Sequence, residues 1–135
     1  VKIGFDLDGT LDKPALANLC NAMLQAGHEV HIITGIFAEA GAWQGLDAKK
    51  DKLNRIGVPA VTGELGWAPG NGIALLHALT AVDVSFGLDY RLRDLGLRKG
   101  DLSHKLGLEV FLDDSETYMK MMPVMNGGLT LLHVQ

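Results

Sequence analysis

Apolar positions along the chain fall into two alternating patterns. KIGF (2–5), EVHIIT (29–34), EVFL (109–112) and LTLLHV (129–134) are short, beta-prone runs bounded by turn residues or acids, and each reads as a strand. Between the first two lies DKPALANLCNAMLQAG. There Leu16, Leu19, Cys20, Met23 and Leu24 recur at helical spacing, which predicts an amphipathic helix with one core face. Asp12 is its expected N-cap, Pro14 sits in the first turn and Gly27 is the stop. The stretch 38–56 reads as helical toward its end, DAKKDKLNRI, with Gly57 closing it, and PAV (59–61) as a short third strand. KGDLSHKLG predicts a short helix, and SETYMKMM a helix cut by Pro123.

Residues 65–97 stay unassigned. GWAPGNG is a loop by composition, and IALLHALTAV fits a helix or a buried strand equally well. Strands apolar throughout, alternating with helices, predict an α/β fold: a Rossmann-like parallel sheet with helices on both faces. With 135 residues the chain reads as a single domain, 1–135, in which 65–97 leaves room for a small insert and no large cap.

Charge and composition narrow the function. A net charge of -4 supplies no basic field to gather nucleic acid. No apolar run reaches the roughly 20 residues of a membrane span, and no signal-peptide pattern opens the sequence. The single Cys20 cannot form an internal disulfide. These features together predict a cytoplasmic protein without a membrane partner.

The candidate chemistry sits at strand ends. Asp6 and Asp8 follow the first strand, Thr34 ends the second, and Asp113 and Asp114 follow EVFL. In open parallel sheets ligands bind at the carboxyl ends of the strands. Carboxylates converging there repel one another unless a cation neutralises them, and hard oxygen donors with room for water suit Mg2+.

These stretches resemble the motifs of the haloacid dehalogenase-like (HAD) superfamily. FDLDGTL resembles the first, D-x-D-G-T; IITG the second, a strand ending in Thr or Ser; FLDDS the fourth, an apolar strand ending in paired acids. KGDLSHKLGLEVFLDD resembles the form in which a lysine opens the helix before that strand, which selects Lys99 over Lys105, with Lys49, Lys50 and Lys52 as outsiders. The resemblance covers roughly 2–35 and 98–118 and implies a small, capless, Mg2+-dependent phosphatase. Asp6 would attack phosphorus and form an aspartyl-phosphate, and Asp8 would act as general acid and base. Asp6, Asp8, Asp113 and Asp114 would hold the metal, with Asp114 favoured over Asp113 as a direct ligand. Gly9, Thr10, Thr34, Gly35 and Lys99 would bind the phosphoryl group, Lys99 also countering developing charge.

Other readings compete. Each acid pair alone fits a turn or helix cap. His28 and His31 lack zinc-motif spacing and read as structural; Arg91, Arg93 and Arg98 read as a solvated face; Trp43 and Trp67 as core or rim. A response-regulator receiver would place its acid pair early and a lone acid before the Thr, the reverse of the order here. The dehalogenase branch needs neither Asp8 nor metal. A non-catalytic Mg2+- or phosphate-binding or partner-binding domain and a phosphotransferase remain the functional alternatives. An open site favours a phosphorylated macromolecular end, or a second copy of the chain supplying a lid; a small phosphorylated molecule also fits.

Overall fold

A computed structural model describes residues 1–37, 42–58, 76–78 and 87–135. Its elements are β1 (Lys2–Phe5), α1 (Pro14–Gln25), β2 (Glu29–Ile32), β3 (Gly35–Phe37), α2 (Ala42–Arg55), β4 (Leu76–Ala78), α3 (Gly87–Leu106), β5 (Val110–Asp113), α4 (Glu116–Met125) and β6 (Thr130–His133). Four strands form one parallel sheet in the order β2-β1-β5-β6. β3 and β4 pair, also in parallel, in a second sheet of two strands. The chain therefore has the α/β, Rossmann-like architecture that its strand and helix alternation predicts.

Successive strand side chains point to opposite faces, so each strand feeds two cores. Ile3, Phe5, Val30, Ile32 and Leu112 pack with Ala17 and Cys20 of α1 and Leu53 of α2. Phe111 turns the other way and packs with Met122 of α4, joined by Leu102 and Leu106 of α3. Each large apolar side chain so buried contributes about 1.5–3 kcal/mol. From β1 the chain builds the sheet first to one side, through β2, and later to the other, through β5 and β6. The order reverses beside β1, and the carboxyl ends of β1 and β5 flank that switch point, where open α/β sheets place their ligands.

Several elements differ from the sequence expectation. α3 is 20 residues long, so Lys99 lies well inside a helix and does not open one. Gly96 and Gly100 serve a close helix crossing. A Cβ on Gly100 would lie 2.5 Å from the Met122 carbonyl oxygen, and one on Gly96 2.8 Å from the Met121 Cβ. α4 runs on through Pro123 to Met125, because the proline falls in the last turn, where little helix remains to disrupt. Lys13, not Asp12, occupies the N-cap of α1. Within IALLHALTAV, residues 76–78 are strand. The expected strand at 59–61, the loop at 66–72 and Trp67 lie outside the described residues.

Candidate functional site

The first two acids of the site are fixed by the ladder between β1 and β5. Asp6 follows β1 directly, and its backbone N–H donates to Leu112 O at 2.9 Å, carrying the pairing one residue past the strand. Asp113 ends β5. Both are buried, at 5% and 0% exposure, and Lys99 between them is at 0%. Lys99 Nζ donates to Asp6 Oδ1 at 2.8 Å and to Asp113 Oδ2 at 3.0 Å. It also lies 4.4 Å from the centre of the Tyr118 ring and 5.7 Å from that of Phe111, whose π faces favour a cation. Asp113 Oδ1 accepts from the Ser115 N–H at 3.0 Å. Thr10 Oγ1 donates to Asp6 Oδ2 at 3.4 Å.

Asp114 completes the set. Its carboxylate is exposed, and one oxygen from each of Asp6, Asp113 and Asp114 lies within 4.8 Å of the others. Gly9, at φ 81°, makes that approach possible: a Cβ there would collide with the Asp114 carboxylate, and the backbone angle itself disfavours any other residue. Three carboxylates converge here, and the Lys99 ammonium pairs with two of them. Burial raises the Asp6 pKa to about 7; Lys99 opposes the rise, and Asp113 and Asp114 add to it. Burial works against the charge on Lys99, but Asp6 and Asp113 outweigh it and push its pKa up to about 12. The lysine stays charged. Oxygen-only donors, part buried and part open to water, are the chemistry of Mg2+ rather than of zinc or copper.

A crevice of about 230 Å3 opens over this cluster, lined by Asp6, Asp8, Thr34, Asp114, Ser115 and Tyr118. Thr34 is buried at its floor, at 1% exposure. Asp8 lies on the lip, and its carboxylate is not among the three that converge. It accepts from Lys49 Nζ and, at 2.6 Å, from Lys52 Nζ, which reaches Asp12 Oδ2 at 3.0 Å as well. Burial raises the Asp8 pKa, but the hydrogen bonds and charges of the two lysines outweigh it and lower it overall. The Gly9 N–H donates to Asp12 Oδ2 at 3.1 Å, within its own turn. Gly35 opens β3, opposite Leu76.

The structure thus brings Asp6, Lys99, Asp113 and Asp114 together, with Thr10 and Thr34 beside them. It turns the Asp8 carboxylate toward α2. Lys105 is remote from the cluster and pairs with Asp101 at 2.8 Å. His28 lies against the chain's amino group and His31 is buried within β2, both outside the crevice lining. Lys49 and Lys52, outsiders in the sequence, are neighbours of the crevice. Their i, i+3 spacing on a helix was legible, but nothing in sequence ties them to an acid some forty residues away. Ser115 and Tyr118 were missed too: SETY reads as a helix start, with no sign that its first turn faces a ligand.

No family model and no curated protein matches the chain. Among solved structures, it is similar to a protein from the universal stress protein family of Burkholderia pseudomallei. The TM-score is 0.49 and the identity 10%, over 98% of this chain and 96% of that one. It is also similar to a universal stress protein in complex with cAMP, at TM-score 0.45 and 12% identity, over 99% and 95% of the two chains. These solved structures are universal stress proteins, where the motifs led us to expect the HAD superfamily. The HAD assignment, the phosphatase activity and the hydrolase label are withdrawn. Acids ending parallel strands, a Thr and a Lys in that order are geometry that any ligand site at a switch point can use.

Proposed function

We propose that this chain is a binding module that takes a divalent cation, Mg2+ by its donor chemistry, together with a small phosphorylated molecule, nucleotides among them. The observation that carries this reading is the convergence of Asp6, Asp113 and Asp114 within 4.8 Å, with Lys99 paired to the first two, beneath a crevice of small-molecule size. Asp114, exposed, offers the open ligand position, and Asp6 and Asp113 offer oxygens from below. A phosphate arriving without the cation meets uncompensated carboxylates and is repelled; with the cation in place it is attracted. Thr34 and the first turn of α4 at Ser115 supply hydrogen-bond donors for its oxygens. Among the described residues no helix is long and apolar enough to cross a membrane, which agrees with a ligand taken from water.

The test is a calorimetric titration of inorganic phosphate, AMP and cAMP with and without Mg2+. Binding that requires Mg2+ and weakens in Asp114→Ala by at least about tenfold is expected, the scale on which metal-site changes act. Phosphate binding of equal strength in EDTA would contradict the reading.

A further inference from the structure

Lys49 and Lys52 project from one side of α2 onto the lip of the crevice, and both grip Asp8. The lysine side chains are about a fifth to a quarter exposed, at 20% and 24%, while that of Asp8 is half exposed at 51%. A carboxylate held by both of its oxygens between two lysines is arranged as a phosphate would be. Ion pairs this open to water are weak, and a short side chain at 51% exposure is free to turn outward. A phosphate carries about -1.5 to -2 charges and three acceptor oxygens, so it competes well with a single carboxylate for two ammonium groups. Asp8 lines the same crevice as Asp6 and Asp114 of the cation cluster, and the lysine pair that holds Asp8 adjoins that lining.

We propose that Lys49 and Lys52 form a second anion subsite, filled by Asp8 until a ligand displaces it, and that the crevice therefore selects ligands bearing two linked phosphates over those bearing one. This rests on the cation-dependent phosphate site described above and adds its substrate class. Asp8 serves as a stand-in anion: it keeps the two lysines aimed at the crevice and lowers affinity for any ligand too short to replace it. Lys52 keeps Asp12 as a second partner and so stays in position when Asp8 leaves.

The experiment titrates inorganic phosphate and pyrophosphate, each with saturating free Mg2+, into the wild type, Lys49→Met/Lys52→Met, Lys49→Arg/Lys52→Arg and Asp8→Asn. The wild type is expected to bind pyrophosphate at least about tenfold tighter than phosphate, the scale of a gained charge-assisted pair. The methionine double variant should lose that preference. The arginine double variant should keep the preference. Asp8→Asn, without the competing charge, should tighten pyrophosphate binding more than phosphate binding. An unchanged pyrophosphate-to-phosphate ratio in the methionine variant overturns the subsite and leaves the cation-dependent phosphate site standing. Failure of both anions to bind the wild type overturns the two together.

Discussion

Asp6 carries the balance of charge in the site. Its folded pKa of about 7 stands above the unbound carboxyl value of 3.8. A group raised in this way contributes fully to stability below its unfolded pKa, where both states hold the proton. The contribution is lost as pH rises through the folded pKa, because the folded chain must then carry a buried carboxylate. In metal-free buffer the melting temperature of the wild type should therefore fall, relative to Asp6→Asn, between about pH 4 and pH 7. Parallel melting profiles for the two proteins would show that Asp6 titrates normally. Lys99 makes the complementary case. Lys99→Met leaves two buried acids without a counter-charge, and urea unfolding at neutral pH should show a loss of about 3–5 kcal/mol, the range for breaking a buried pair. The loss should shrink near pH 5, where Asp6 takes up a proton. The acids themselves were legible in the sequence, since a carboxylate at the end of an apolar strand is conspicuous. Their protonation was not, because it depends on burial and on neighbours distant in sequence.

At the scale of elements, the crossing of α3 and α4 sets where Lys99 points. Gly100, the residue after Lys99, lies against the Met122 backbone, which cannot move aside as a flexible side chain can. Gly100→Ala gains about 1 kcal/mol of helix propensity. It sets that gain against overpacking of about 1–3 kcal/mol. The variant should be destabilised in urea, and its Mg2+ affinity should fall with the displacement of Lys99; a more stable protein with unchanged Mg2+ binding would show that the crossing is loose. The expectation of a short helix opened by Lys99 stops short of the 20-residue helix found, in which Gly96 and Gly100 let it approach its neighbour. The strands were easier, because Ile3, Phe5, Val30, Ile32 and Phe111 have little choice but burial. The pairing of β3 with β4 joins segments about forty residues apart, a contact that local pattern does not carry.

For the whole molecule, alternation of apolar strands with amphipathic helices was enough to read the α/β architecture and the edge of the sheet that bears the site. It was not enough to read a family. A D-x-D-G-T turn, a Thr, a Lys and an Asp pair place polar groups at the carboxyl edge of a parallel sheet, where folds of different families bind their ligands. What survives is the site's physical demand: three carboxylates, one lysine and a crevice above them. The measurement that bears most directly on it is the melting temperature of the wild type and of Asp114→Ala as Mg2+ is added and then removed with EDTA. A ligand that binds only the folded state raises the melting temperature with its concentration. The wild type should rise with millimolar Mg2+ and return with EDTA, and Asp114→Ala should shift by less than about half as much. No shift in the wild type, or the same shift in both proteins, would contradict a cation site built from Asp6, Asp113 and Asp114.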